Sequence, residues 1–223
     1  MPIERGILSS IQLLIFDLDG TLIDSKLDLA LGVNAMRVQR GLAPLDSDVI
    51  GTYVGHGVAN LVRRSLGEGA SEAEVEACVE AFIEHYRAHM LDNTVPYPGV
   101  IEALEALRGR SLAVLSNKPV VFSREILAGL NMARFFAFVY GGNSFDRKKP
   151  DPAGVRKLMA DLHSGPQQTL IIGDSDTDVL TGRNAGVWTC GVTYGFGAPT
   201  LAKAPPDLMI DDLRRLPALL KSQ

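Results

Sequence analysis

Short, nearly unbroken apolar runs alternate with stretches of helical period along most of this chain. Ile11 to Phe16 is the first such run, and Ser111–Ser116, Ala137–Gly141, Thr169–Gly173, Trp188–Tyr194 and Leu208–Ile210 follow. Apolar runs of this length, closed by turn residues, read as strands with both faces buried. Helical periods fill the intervals over Val100–Arg108, Val120–Leu130, Pro152–Leu162 and Asp176–Ala185. Alternation of this kind implies right-handed crossovers and a parallel sheet covered by helices on both faces.

Residues 25 to 92 break the rhythm and read as helix throughout. One helix runs from Leu27 to Arg40 and closes on Gly41; the next runs from Val58 to Leu66 and closes on Gly67. A third starts at Ser71, where Ser71 and Glu74 have capping-box spacing, and continues to about Leu91. Its apolar residues Val75, Cys78, Val79, Phe82, Ile83 and Tyr86 share one face, leaving Glu72, Glu76, Glu80 and Glu84 to solvent.

Composition narrows the function classes. A net charge of -4 leaves no basic face for nucleic acid and no polybasic membrane patch. No apolar run approaches the length of a membrane span, and Met1 to Ser10 lacks the apolar stretch of a secretory leader. Cys78 and Cys190 stand apart with no metal-binding spacing, the pattern of buried free thiols in a reducing cytoplasm. A monomer and a homodimer both fit.

The chemistry concentrates where the first apolar run ends. Asp17 and Asp19 lie two residues apart before Gly20, and in extended backbone that spacing aims both carboxylates to one side. Two such groups repel, so a bound cation or a shared proton is expected.

Asp17-Leu18-Asp19-Gly20-Thr21 resembles the first motif of the haloacid dehalogenase-like hydrolase superfamily. Three later segments continue the resemblance in the family's order: Ser116-Asn117 after a strand, Lys149-Pro150-Asp151-Pro152 ahead of a helix, and Gly173-Asp174-Ser175-Asp176-Thr177-Asp178 after another strand. Together they cover nearly the whole chain. The implied fold is an α/β doubly wound, Rossmann-like parallel-sheet core with an inserted α-helical cap domain. Residues 1–24 and 95–223 are expected to form the core and residues 25–94 the cap. The cap would be a mobile lid that excludes water on closing.

The resemblance also implies roles. Asp17 is the expected nucleophile, forming an aspartyl-phosphate, and Asp19 the acid that protonates the leaving alkoxide and later activates water. Mg²⁺ is the implied cofactor, held by Asp17, the Asp19 carbonyl and Asp174, with Asp178 close by. Ser116 is expected to bind a phosphoryl oxygen, with backbone N–H groups of Asn117 and Gly20 adding to the cradle. Thr21 would orient the loop, and Lys149 would hold nucleophile and phosphate together. Lys148 is read as a surface neighbour and Asp176 as a helix N-terminal acid. Asn143 and Asp146 depart from close relatives, which commonly carry Asp and Pro there.

Substrate choice is expected to lie in the cap. Gly55-His56-Gly57 precedes a helix whose exposed N–H groups make an anion site. With Asp24-Ser25, Asp28-Leu29 and the run to Arg63-Arg64, this segment resembles the phosphoglycolate phosphatase branch, as does Tyr194-Gly195-Phe196-Gly197. Lys26 departs from that branch, which often has Ala-Pro there. Arg63 or Arg64 is the candidate cation for a substrate carboxylate. The expected activity is Mg²⁺-dependent hydrolysis of a small phosphomonoester, with 2-phosphoglycolate as the expected substrate. A sugar phosphate, nucleotide or pyrophosphate substrate, a sugar phosphomutase, and a silent binding module are the alternatives. The four retained motif residues Asp17, Asp19, Lys149 and Asp174 argue against the last.

Overall fold

A computed structural model describes residues 5–221. The first four residues of the segment read as lacking a leader lie outside this range. In chain order the elements are α1 (Arg5–Ser10), β1 (Leu13–Phe16), β2 (Ile23–Asp24), α2 (Lys26–Gln39), α3 (Ser47–Gly51), α4 (Val58–Leu66) and α5 (Glu72–His89). After them come β3 (Val95–Pro96), α6 (Val100–Ala106), β4 (Ser111–Leu115), α7 (Val120–Gly129), β5 (Phe138–Tyr140) and α8 (Ala153–Asp161). The chain continues with β6 (Thr169–Gly173), α9 (Asp176–Ala185), β7 (Trp188–Val192), β8 (Leu208–Ile210) and α10 (Arg215–Leu219).

Six strands form one parallel sheet in the order β5-β4-β1-β6-β7-β8. The expected doubly wound α/β fold is what the chain adopts. Strand β1 is central because Leu13 to Phe16 is buried on both faces, and the two period-2 sets separate cleanly. Leu14, Phe16, Leu112, Val114, Leu170 and Ile172 join the larger core, which also takes in Phe122 and Ile126 of α7. Leu13, Ile15, Ala113, Leu115 and Ile171 point the other way, onto Val155 and Leu158 of α8.

Register sets the site. Phe16 is level with Val114 and Ile172, so the chain leaves β1, β4 and β6 at nearly the same height. Because β4 and β6 flank β1 and the chain proceeds outward from each, the strand order reverses there. Ligand clefts of doubly wound sheets open at such a reversal, beyond the carboxyl ends of the strands.

Helices α2 to α5 fill the interval between β2 and β3. Leu29, Val33 and Met36 of α2 meet Val75, Cys78, Phe82 and Tyr86 of α5 in a continuous apolar core. The Ser71–Glu74 capping box forms as expected, and Glu72, Glu76, Glu80 and Glu84 are exposed. The segment is not helical throughout, however. Turn and coil on both sides of the short α3 break it.

The strands β2 and β3 were invisible to periodicity, being two residues each. They pair antiparallel, Ile23 with Pro96 and Asp24 with Val95, tying the chain's way into the helical block to its way out. Buried Asp28 reinforces the junction by accepting from the backbone N–H groups of Asn93 and Thr94 and from the Thr94 hydroxyl. Burial opposes its charge, but these bonds together hold the Asp28 carboxyl below the usual range.

Candidate active site

Asp17 follows β1 directly, and the loop after it folds back at once. Gly20 donates its backbone N–H to the Ile23 carbonyl at 2.9 Å, with φ +81°. A Cβ on Gly20 would lie 2.1 Å from Asp174 Oδ2, so glycine is needed both for the backbone turn and for the approach of Asp174. Ser116 and Asn117 leave β4, Asp174 leaves β6, and Asp178 sits in the first turn of α9. Lys149 arrives from the segment ahead of α8.

These residues converge on a buried ion network. The Lys149 ammonium lies 2.9 Å from Asp17 and 2.6 Å from Asp178, with a side chain only 2% exposed. Lys148, its neighbour, is exposed. Burial works against the Lys149 charge, yet Asp17 and Asp178 together raise its pKa above the ordinary lysine value. Burial pushes the Asp17 carboxyl up to about 6, Lys149 opposing and Asp178 adding to the rise. Asp174 lies well above the usual range, first through burial, then through the charges of Asp178 and Asp17. Two carboxylates thus share one ammonium, and a third, Asp174, stands in the same cluster.

That surplus of negative charge is what a cation site requires. Carboxylate oxygens of Asp17, Asp174 and Asp178 all lie within 4.8 Å of one another. Asp17 Oδ1 is buried and, although near Lys149, receives no well-directed hydrogen bond. The two oxygens of Asp178 are engaged otherwise: Oδ1 accepts from Lys149, and Oδ2 from the Ser175 hydroxyl and backbone N–H. Asp174 Oδ2 accepts from the Gly197 N–H at 2.7 Å. An all-carboxylate donor set suits a hard divalent cation.

Asp19 points away from this cluster. Its Oδ1 accepts from the Ser25 hydroxyl at 2.5 Å and from the Lys118 ammonium at 2.9 Å, and Oδ2 lies 3.0 Å from the same ammonium. Asp17 and Asp19 therefore have separate partners and face different parts of the cleft. Thr21 is fully buried and its hydroxyl finds no partner. Sequence reasoning passes over Lys118 altogether. Its signal was positional: it stands two residues past Ser116, at the same strand end, ahead of Pro119.

The cleft runs from Asp17, Asp19, Ser116, Asn117 and Asp174 on the sheet side to Leu29, Val54, Val58 and Leu61 of the helical block. Gly55 and Gly57 line it, with φ of +105° and +87°. Gly55 also accepts through its carbonyl from Asn117 Nδ2 at 2.8 Å. The Asn117 side chain further bonds both the N–H and the carbonyl of Lys149, so it braces loops together. His56 is exposed and borders a neighbouring recess beside Asp176 and Pro199.

The two arginines expected near a substrate carboxylate are placed elsewhere. Arg63 pairs with Glu72 at 2.6 Å, and Arg64 donates to the Thr52 carbonyl and covers the Tyr53 ring. Both lie at an outer depression with Gly67 and Glu68. Helix α4 directs them there because its apolar face, Leu61 and Val62, is the one that turns inward.

Residues 14–192 match the family model for haloacid dehalogenase-like hydrolases. A phosphoglycolate phosphatase of Pseudomonas putida is 41% identical over 214 residues, 92% of this chain and 78% of that protein. One of Agrobacterium fabrum is 37% identical, covering 94% and 92% of the two chains. The crystal structure of a predicted phosphoglycolate phosphatase from Haemophilus somnus superposes with a TM-score of 0.89 at 31% identity, covering 95% and 99%. The chain belongs to the haloacid dehalogenase-like hydrolase family. It is an enzyme of that family's phosphatase branch.

Proposed function

We propose that the enzyme hydrolyses 2-phosphoglycolate to glycolate and phosphate, with Mg²⁺ as its cation. The observation carrying this reading is the division of labour between Asp17 and Asp19. Asp17 sits in the carboxylate cluster with Lys149, whereas Asp19 faces the open cleft where a leaving group would lie. The names of the relatives supply the substrate.

In the first step an Asp17 carboxylate oxygen bonds to phosphorus as the ester P–O bond breaks. The electron pair leaves on the alkoxide, which takes a proton from Asp19. Water then attacks the aspartyl-phosphate and gives its proton to Asp19; the Asp17–phosphorus bond breaks, and phosphate departs. Lys149 and Ser116 hold the phosphoryl oxygens throughout. Asp17, Asp174 and the Asp19 carbonyl would hold Mg²⁺, while Asp178 anchors Lys149. When bound, the ion offsets negative charge on the carboxylates and the phosphoryl group. The helical block of residues 25–94 acts as the cap on the core of residues 1–24 and 95–223, closing the cleft with Val54, Val58 and Leu61. Two buried free thiols, Cys78 and Cys190, fit a reducing compartment such as the cytoplasm.

The test is kcat/KM for 2-phosphoglycolate against sugar phosphates, nucleotides and pyrophosphate, with Mg²⁺. A preference of about a hundredfold is expected, and a flat or different profile would remove this substrate.

The raised carboxylates give a second expectation. In metal-free protein Asp17 titrates near 6 against an ordinary value of 3.8, so the folded state binds more protons between these values than the unfolded state does. This contribution is fully present below about pH 4 and is lost as pH rises through about 6. Mg²⁺ needs the ionised carboxylates, so its stabilisation should grow over the same interval. Saturating Mg²⁺ is expected to raise the melting temperature by about 5–10 °C at pH 7.5 and by far less at pH 5. Melting curves in Mg²⁺ and in EDTA check this; a pH-independent gap would contradict it.

A further inference from the structure

The two lysines of the site have different situations. Lys149 is saturated, with Asp17 on one side and Asp178 on the other. Lys118 lines the cleft itself, on the leaving-group side, and both of its ion contacts go to the single carboxylate of Asp19. Its side chain is 4% exposed, so its charge acts with little screening by water.

Beside it stands Tyr86 of α5, whose ring centroid is 4.9 Å from the Lys118 ammonium. The Tyr86 hydroxyl is buried and makes no well-directed hydrogen bond, with Lys118 and Asp19 among the charges around it. A buried hydroxyl left without a well-directed partner is costly, and a bound acceptor would recover that cost. The ammonium lines the cleft and the Tyr86 ring packs against it from outside the lining, so a carboxylate entering there would meet the ammonium first and the hydroxyl beside it.

The polar side chains of the cleft, Ser116, Asn117 and Ser175 among them, lie on its sheet side, whereas Leu29, Val54, Val58 and Leu61 of the helical block offer a sugar's hydroxyls no side-chain donor or acceptor. The N-terminus of α4 opens onto the same space and adds its partial positive charge. Arg63 and Arg64, the other cations of this helix, are engaged at the outer surface.

We propose that Lys118 and the Tyr86 hydroxyl form the seat for a carboxylate on the substrate, one carbon removed from the phosphate ester. This rests on the reading that the ester is split at Asp17 with Asp19 facing the leaving oxygen. Lys118 touches Asp19, so its ammonium is a single group away from that oxygen. A carboxylate joined to the ester oxygen by one methylene spans this separation, and a longer leaving group would have to pass Lys118. The substrate carboxylate competes with Asp19 for the ammonium, so the resting ion pair keeps the seat ordered without filling it. Lys118 thereby selects small acidic esters over neutral ones of equal size.

The experiment compares kcat/KM for 2-phosphoglycolate and ethyl phosphate, which differ in the carboxylate, in the wild type, Lys118→Met, Lys118→Arg and Tyr86→Phe. The wild-type preference for the acidic ester should shrink roughly tenfold to a hundredfold in Lys118→Met. It should survive better in Lys118→Arg and fall about fivefold in Tyr86→Phe. Equal losses on both esters in Lys118→Met would overturn the proposal, leaving Lys118 as a support for Asp19 alone. If Lys118→Met does not fold, Tyr86→Phe decides, and an unchanged ratio there sinks the seat. A wild type that prefers a different acidic ester, with that preference removed in Lys118→Met, discards 2-phosphoglycolate and keeps the seat. A wild type that turns over small esters without preferring any acidic one overturns the seat while leaving the phosphatase chemistry intact.

Discussion

Asp17→Asn is expected to lower kcat by at least about 10⁴-fold while leaving the metal-free fold no less stable than the wild type. The amide has nearly the same shape but cannot attack phosphorus, so no aspartyl-phosphate forms. Stability should move the other way because Asp17 is a buried carboxylate beside Asp178, and burial already pushes it up to about 6. Removing that charge relieves like-charge repulsion, and Lys149 keeps Asp178 as its partner at 2.6 Å. Two readouts separate chemistry from folding: steady-state turnover with Mg²⁺, and melting temperature in EDTA at pH 7.5. Acid-quenched protein should carry phosphate in the wild type and none in Asp17→Asn. Turnover surviving in that variant would end the covalent mechanism.

Lys149→Met should be the most damaging change to stability in the site, costing about 3–5 kcal/mol at neutral pH. The ammonium is the shared partner of Asp17 and Asp178, and both carboxylates are buried. Methionine fills the space but leaves negative charges in a low-dielectric pocket with no counter-ion. Acid should rescue the variant in part, since Asp17, already raised to about 6, becomes neutral as pH falls towards 5, and Asp174 is shifted in the same direction. Mg²⁺ should rescue stability at pH 7.5 but not turnover, because the phosphoryl group still lacks its ammonium. Urea unfolding at pH 5 and 7.5, with and without Mg²⁺, tests each part. A loss below about 1 kcal/mol at pH 7.5 would show that the carboxylates are not dependent on Lys149.

The fold was legible where local patterning was strong. The apolar runs at Thr169–Gly173 and Leu208–Ile210 gave strands with the expected bounds, as Asp176–Ala185 and Val58–Leu66 did for helices. Strand ends shifted by a residue or two elsewhere, because the sheet is paired by its neighbours and not by hydropathy alone. The two-residue strands Ile23–Asp24 and Val95–Pro96 escaped notice, since pairing across some seventy residues of chain leaves no periodic trace. Short α1, α3 and α10 likewise fall below the length at which a helical period can be read.

The candidate site divides along the same line. The sequence by itself determined the family, the parallel sheet, and the placing of Asp17, Ser116, Lys149 and Asp174 at one end of it. Each motif follows or precedes its own element, and parallel strands in register bring their carboxyl ends to one level. Only the tertiary structure decided which long side chain meets which carboxylate. Lys118 reaches Asp19 across 99 residues of chain, Asn117 braces Gly55 across 62, and Arg63 and Arg64 turn outward from the cleft. The physical reason is that a flexible side chain takes its direction from the packing around it. Here that packing is the seating of one helical block on the sheet, which no local pattern encodes.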